Sequence, residues 1–329
     1  MSTLGVTSPN LADVAKAKDP SGAIGLIIPL LESSNTIVFD APAYEGNLAV
    51  GHQSIQRVTR GSGTWRSINE GIAAEKGTTK QVIDVCGELA GLHKMDTTLY
   101  ALNGGAEYRR QDLEEYVAGM TQEIAETILY GNIATSPKEF QGLAPRYNST
   151  TGGYASQIIS AGGSGSDNRS IWLITWGQKT CHLFYPKGTN AGIEMNDMGK
   201  QLVSDGTNDY TAYVEDIKWR VGLALPDYRQ VIRICNIDVS DLTVDAASGA
   251  DLIRQMVKAI YSLPTANMFA KNRVFYVSPT IAEYLQLQAS NKSNVNLTPA
   301  NAEGEPYTKC IGIPIKPLDA LETDEATVS

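Results

Sequence analysis

The sequence lacks the features that would place the protein in a membrane or on a nucleic acid. No apolar run approaches the roughly 18–20 residues that cross a bilayer, so we expect no membrane partner. The N-terminus has neither the basic start nor the apolar core of a signal peptide. Lys and Arg number 27 against 36 Asp and Glu, giving a net charge of −9. This balance argues against a surface that wraps nucleic acid, because phosphate binding needs clustered basic residues.

Signatures of concentrated chemistry are also missing. There are only three histidines, His52, His93 and His182, and their spacing fits no compact metal site. His182 alternates within a strand-like segment, which favours a packed residue over a catalytic base. There is no GxSxG, HExxH or CxxC motif, and the scattered cysteines predict free buried thiols. We therefore predict no catalytic residue, no cofactor and no metal ligand.

What the sequence does contain is a long helical segment at residues 105–131. Its apolar residues recur at the spacing of one helix face: Leu113, Tyr116, Val117, Met120, Ile124 and Ile128. Glu114, Glu115 and Glu123 lie between them, on a face that favours solvent or a partner over a catalytic carboxylate pair. The periodicity alone is equally consistent with a strut that carries flanking strands and with an ordinary core helix.

Before this helix, residues 36–85 show no helical period and contain short β-type pieces, the first of them at 36–42. Glycines at 61, 63, 71 and 77 join two ribbons, which predicts a long protruding hairpin. Such a hairpin is only marginally stable alone, so we expect it to rest on another subunit. It carries Arg57, Arg60 and Arg66 in an otherwise acidic chain, which favours contact with an acidic body of a second copy. The alternative is a solvated basic loop.

The ends of the chain and its second half give a mixed pattern. We expect residues 1–22 to form an extended arm and the apolar segment 23–31 to pack on a neighbouring surface. The elements predicted beyond the long helix are two β-hairpins (171–176 with 182–185, and 213–225 with 228–239), a helix at 250–263, a strand at 273–278, a helix at 279–289, a strand at 310–317 and an acidic tail over the last eight residues.

The order of these pieces resembles the major capsid proteins of tailed bacteriophages with the Hong Kong 97-like fold. Within that family it is most similar to the branch of short-tailed phages such as epsilon fifteen and the Bordetella phage. The motifs that carry the resemblance are TWRSINEG at 64–71, FQGL at 140–143, YPKG at 185–188, WRVGL at 219–223, RICNID at 233–238 and GIPI at 312–315. Each motif is weak by itself, but their ordered set covers most of the chain.

The resemblance implies an α+β fold with a defined division of labour. The implied parts are an N-terminal arm at 1–45, an extended β-hairpin arm (the E-loop) at 46–82, a peripheral domain at 83–239 with the spine helix 105–131, an axial domain at 240–309, and a return strand with C-terminal tail at 310–329. About a hundred β-rich residues, 150–245, intervene where simpler members pass almost directly to the axial helix.

The function implied by the resemblance is structural rather than enzymatic. The expected protein assembles as pentamers and hexamers into an icosahedral shell that encloses double-stranded DNA, with only weak, non-specific proximity to that DNA. We expect no built-in scaffold ahead of the arm, so the resemblance implies a separate scaffolding protein, together with a portal and a decoration or cement protein. The expected location is the virion, and the host cytoplasm during assembly.

The residues predicted to lie between subunits are Arg57, Arg60, Trp65 and Arg66 in the hairpin and Glu114, Glu115 and Glu123 on the helix. Two other classes of function remain open from the residues themselves. One is a soluble α/β enzyme whose active site is assembled from scattered residues, and the other is a tail or tube protein that also polymerises.

Overall fold

The fold is described from a computed structural model. It covers residues 35–72, 74–102, 105–204, 206–243, 249–264, 272–291, 297–299, 307–321 and 324–329. The extended arm predicted at 1–22 and the apolar segment 23–31 lie outside the described residues.

The chain forms two compact units. The described residues of the first unit fall within Glu88–Ala125 and Gly192–Arg220, and those of the second fall within 35–87, Glu126–Ala191 and Val221–Ser329. The helices are α1 (Thr36–Asp40), α2 (Thr97–Leu102), α3 (Ala106–Tyr130), α4 (Leu252–Ser262) and α5 (Pro279–Asn291). The strands are β1 (Ala43–Glu45), β2 (Gly51–Arg57), β3 (Thr79–Val85), β4 (Gly87–Asp96), β5 (Ile158–Ser160), β6 (Asn168–Thr175), β7 (His182–Tyr185), β8 (Ile193–Ser204), β9 (Asp209–Ala224), β10 (Val231–Asp238), β11 (Arg273–Val277), β12 (Leu297–Pro299), β13 (Tyr307–Cys310) and β14 (Ile313–Pro317).

Helix α3 confirms the long helix predicted at 105–131. Its 25 residues span about 37 Å at the usual rise per residue. Met120, Ile124 and Ile128 on the predicted stripe are buried, whereas Tyr116 nearer the N-terminus stays exposed. The apolar face therefore supports packing mainly along the C-terminal half of the helix.

The core of the second unit is a seven-stranded sheet with the order β12-β13-β14-β11-β6-β10-β5. Strands β6 and β10 are interior strands of this sheet, and nearly all their residues are buried, as expected for strands covered on both faces. Helices α4 and α5 contribute Leu252, Ile253 and Met256, with Ile281 and Leu285, to the same apolar cluster. These elements confirm the predicted helices at 250–263 and 279–289 and the strand at 273–278.

The two hairpins predicted in this region are wrong. Strand β6 pairs with β10 and β11, whereas β7 pairs with β1 and with the C-terminal end of β9. Strand β9 likewise pairs with β4, β7 and β8, whereas β10 pairs with β5 and β6. The short connections made sequence neighbours look like hairpin partners, but each connection carries the chain from one sheet to another.

Three smaller details differ from expectation. The first β-type piece, predicted at 36–42, begins with the short helix α1. The strand predicted at 310–317 is present as β14, but it begins three residues later, because Ile311 and Gly312, which both have positive φ, form the turn that joins it to β13. The described part of the acidic tail is packed rather than free in solvent, because Glu325 is buried and Val328 exchanges two backbone–side-chain hydrogen bonds with Asn236.

Candidate assembly surfaces

The predicted hairpin arm is present in the second unit. Strands β2 and β3 pair antiparallel without a register shift, from Gly51 opposite Val85 to Arg57 opposite Thr79. No strand is assigned among the described residues of 58–78, which connect the two. This segment is hereafter called the arm tip.

The arm tip is held together by a few polar contacts of its own. The hydroxyl groups of Thr59 and Thr78 lie 2.7 Å apart, and Ser62 donates from its backbone N–H and hydroxyl to the Glu75 carboxylate. Gly77 lies so close to the other half of the arm tip that an added Cβ would sit 2.9 Å from the Thr59 carbonyl oxygen. Crossing contacts of this kind keep the two chain segments together without an apolar core.

The apolar side chains of the arm remain in solvent. Trp65 and Ile68 have relative exposures of 104% and 92%, and Ile55, Val58 and Ile72 are also largely exposed. Monomeric proteins rarely leave so many large apolar side chains together on the surface. Because these side chains are largely uncovered in the single subunit, the arm presents an exposed apolar surface.

The base of the arm, in contrast, is fixed to the body of its own unit. The Asp84 carboxylate on β3 accepts from Arg146 at 2.8 Å, and both side chains are nearly buried. Arg146 also donates to the carbonyls of Gly142 and Leu223, and Gln56 on β2 donates to the carbonyl of Leu225. The arm is therefore anchored at one end and uncovered at the other.

A pair of histidines lies beside this anchor. His182 on β7 is buried, and its ring stands edge-on to His52 on β2 with centroids 5.3 Å apart. Tyr44 packs against the same ring. Burial, and secondarily the charge of nearby His52, lower the pKa of His182 to about 4. The prediction that His182 is a packed residue is confirmed, and its environment opposes protonation.

This depressed pKa predicts an acid sensitivity. The unfolded chain takes up the proton near the ordinary pKa of 6.5, while the folded chain resists it down to about 4. The contribution of neutral His182 to the free energy of unfolding is therefore present above pH 6.5 and is lost as the pH falls. The expected loss between pH 7 and pH 5 is about 2 kcal/mol. Urea unfolding of the wild type and of His182→Leu at both pH values measures this difference. An equal loss of stability in the two proteins would contradict the assignment.

The predicted intermolecular residues are all on the surface. Arg57 ends β2, and Arg60, Trp65 and Arg66 lie in the arm tip, where the Arg66 guanidinium donates to the Glu70 carbonyl at 3.0 Å. On α3, Glu114, Glu115 and Glu123 are exposed, and Glu114 pairs with Arg110 one turn away. The arginines and Trp65 belong to the second unit, and the three glutamates belong to the first.

Sequence reasoning missed a charged network in the first unit. Arg109 on α3 contacts Asp197 at 2.8 Å and also Glu215, while His93 lies 2.7 Å from Asp112. The hydrogen bond from Arg109 holds the pKa of the Asp197 carboxyl below its usual range. The members come from α3 and three separate strands, so no local spacing could have revealed them.

A second missed network lies inside the second unit. Arg233 on β10 pairs with Glu325 at 2.9 Å, with both side chains buried, and its guanidinium stacks over Trp172. Glu325 also accepts from the hydroxyl groups of Tyr130 and Ser170. Arg233 stands within one of the motifs of the family resemblance, but nothing local to that motif points to a partner so near the C-terminus.

The described residues contain no helix long and apolar enough to cross a bilayer. They also contain no group of three or more His, Cys, Asp or Glu side chains arranged to hold a metal ion. No disulfide joins the four cysteines, all of which lie in the described part of the chain, and Cys181, Cys235 and Cys310 are buried, which confirms the expected buried thiols at those three positions.

The chain matches a known protein family over most of its length. The sequence profile of a family described as major capsid protein GP7 matches residues 19–329. The chain belongs to this capsid protein family. A solved structure of bacteriophage epsilon15 is similar over 100% of both chains, with 33% identity and a TM-score of 0.79. No curated protein sequence matches the chain.

A more distant structure supports the fold. The capsid of bacteriophage JBD30 is similar over 96% of this chain and 99% of its own, with 9% identity and a TM-score of 0.54. The GP7-family protein therefore has the Hong Kong 97-like capsid fold, which confirms the α+β class. It is a structural protein of the phage capsid shell, its copies assemble into that shell, and it is part of the virion.

Proposed function

We propose that the protein builds a closed icosahedral shell of pentamers and hexamers around double-stranded DNA, without catalysing a reaction. In this shell the arm of each copy lies over the body of the next. The observation that carries the proposal is the arm itself, anchored through Asp84 and Arg146 while Trp65 and Ile68 stay uncovered. An element that gains little within its own subunit gains stability when it is laid on a neighbour.

The charges of the two predicted surfaces are complementary. Arg57, Arg60 and Arg66 lie on the arm, and the exposed Glu114, Glu115 and Glu123 lie along α3. Attraction of this kind contributes mostly to orientation and to the rate of association. Apolar burial around Trp65 then supplies most of the affinity, since aromatic anchors dominate many interfaces.

The proposed domains follow the boundaries implied by the family resemblance. They are an arm at 1–45, the E-loop at 46–82, a peripheral domain at 83–239, an axial domain at 240–309 and a return segment at 310–329. The axial part would meet its copies around the five- and sixfold positions. A scaffolding protein, a portal and a decoration or cement protein complete the proposed assembly, which takes place in the host cytoplasm.

The proposed relation to DNA is enclosure without tight binding. The net charge of −9 gives the shell an acidic balance that repels a polyanion at short range. A basic lining would instead bind the DNA phosphates with release of their counterions, and that affinity would oppose release of the DNA.

Reversing two arm charges tests the proposal. The variant Arg57→Glu with Arg60→Glu is expected to give a folded, soluble subunit that forms no shells, because its arm then repels an acidic neighbour. Light scattering and negative-stain imaging of the expressed protein measure the outcome. The matched control, Arg57→Lys with Arg60→Lys, keeps the charges and should still form closed particles.

Normal shells from the charge-reversed variant would contradict the role of the arm. The unmodified protein distinguishes the broader alternatives. Rings or tubes would indicate a tail or tube protein instead of a closed shell, and a monomer with a deep pocket would favour an enzyme.

A further inference from the structure

Strand β8 presents a second uncovered surface, in the first unit. It pairs with β9 along its whole length, and among the described residues its outer edge has no partner strand. Eight of its twelve residues are exposed, including Met195, Met198 and Leu202. A long exposed edge with apolar side chains is a template for pairing with another strand.

An irregularity in β8 controls which side chains share a face. Asp197 lies opposite Glu215, but Gly199 lies opposite Val214, so Met198 is an extra residue in the strand. Gly199 has a positive φ of 70°, and its N–H donates to the Asp197 carboxylate at 2.8 Å. This geometry is a β-bulge, which shifts the alternation of faces by one residue.

The bulge brings four side chains to the same face of the ribbon. Met195 and Asp197 lie opposite Ile217 and Glu215, while Lys200 and Leu202 lie opposite Tyr213 and Thr211. These β9 partners alternate along one strand and so share a face. In a regular strand, Met195 and Asp197 would point to one face, and Lys200 and Leu202 would point to the other.

With this arrangement the strand is complementary to itself. If a second β8 is laid antiparallel, with a two-fold axis between Met198 and Gly199, Met195 stands opposite Leu202 and Asp197 stands opposite Lys200. On the other face, Asn196 stands opposite Gln201. Apolar, oppositely charged and amide side chains each meet a suitable partner, and all opposed residues share a face because of the bulge.

We propose that β8 is an edge through which two copies of the chain join across a two-fold axis, in the register centred between Met198 and Gly199. This inference rests on the proposed shell, because it supplies a contact between copies in addition to the arm. The Asp197 carboxylate can serve both Arg109 of its own chain and Lys200 of the second copy, since a carboxylate accepts several hydrogen bonds.

The same features disfavour other partners. A bulge and a charged lysine on an edge normally prevent pairing with an arbitrary strand. Here a strand lacking a carboxylate at the matching position would leave Lys200 opposite a neutral or like-charged group. A second copy is the partner that supplies Asp197 and a matching bulge, so the edge selects its own sequence.

Cysteine cross-linking tests the register directly. In the proposed pair, residue 195 of one copy lies beside residue 202 of the other, close enough for a disulfide after small adjustment. Two copies of residue 195, or of residue 202, are instead roughly 20 Å apart along the strands. The double variant Met195→Cys/Leu202→Cys should therefore form covalent dimers on mild oxidation, and each single variant should not.

The experiment uses full-length protein, with oxidation followed by non-reducing electrophoresis. We expect more than about tenfold more dimer from the double variant than from either single variant. Wild-type protein gives the background of the natural cysteines, and Asn196→Cys/Leu202→Cys is a matched control whose cysteines lie on opposite faces. Equal dimer from the double variant and this control, or from a single variant, would overturn the proposed register.

Negative-stain imaging of the same samples separates the two hypotheses. Closed particles without the specific cross-link contradict the β8 pairing alone. The specific cross-link without closed particles supports the pairing and contradicts the shell. If no closed particles form and the cross-link is also absent in concentrated solution, the shell and the β8 pairing are both contradicted.

Discussion

Replacing Glu325 by alanine is expected to lower the free energy of unfolding by about 3–5 kcal/mol, because Arg233 would keep its buried charge without its ionic partner. The hydroxyl groups of Tyr130 and Ser170 would lose an acceptor at the same time. Urea titration of the isolated subunit measures the change. For many domains, a loss of this size is a large fraction of the total stability.

The neighbouring residue provides a matched control. Asp324 is exposed, so Asp324→Ala removes the same charge from the same segment and should change stability by no more than about 0.5 kcal/mol. The pair Arg233→Met with Glu325→Leu removes both charges and should recover much of the lost stability. Equal effects of Glu325→Ala and Asp324→Ala would show that the C-terminal segment is not part of the core.

Removing the apolar side chains of the arm tip is expected to abolish shell formation while leaving the subunit folded. The variant Trp65→Ser/Ile68→Ser/Ile72→Ser removes three apolar side chains that are exposed in the single subunit. In the proposed shell these side chains are buried against an adjacent copy. Each such side chain contributes about 1.5–3 kcal/mol when fully buried. Because the loss recurs at every arm, even part of it should shift the protein from particles to free subunits.

Two measurements separate assembly from folding in this variant. Urea unfolding should match the wild type closely, since exposed positions contribute little to the stability of the subunit. Light scattering should show free subunits in place of particles. The control Trp65→Phe/Ile68→Leu/Ile72→Leu keeps an apolar tip and should still assemble. Shells formed equally well by the serine variant would mean that the arm tip carries no assembly energy.

Sequence patterns predicted the helix α3 and the hairpin of β2 and β3, because the residues that define each of these elements are close together in the sequence. Helix α3 has a continuous apolar period and no proline, so its extent differs from the prediction by only one residue at each end. The arm was recognisable because glycines separate two ribbons, and β2 pairs with β3 as predicted. The exposure of the arginines and of Trp65 was predictable because the arm has little core of its own.

Pairings between distant segments were not predictable in this way. Strands β6 and β7 are separated by a short turn, which favours a hairpin, yet their partners lie far away in sequence. The continuous apolar run in β6 was an available signal, because an edge hairpin with one wet face usually alternates. The Arg233–Glu325 pair and the bulge at Met198 depend on three-dimensional register, which no single-sequence period encodes.

The most direct test is a cryo-electron microscopy reconstruction of the assembled shell at a resolution that traces side chains. It should show Trp65 and Ile68 of each copy buried against the body of an adjacent copy, with Arg57 and Arg60 near acidic residues of that neighbour. A reconstruction in which the arm tip lies on its own subunit, or extends into solvent without touching a second copy, would contradict the account.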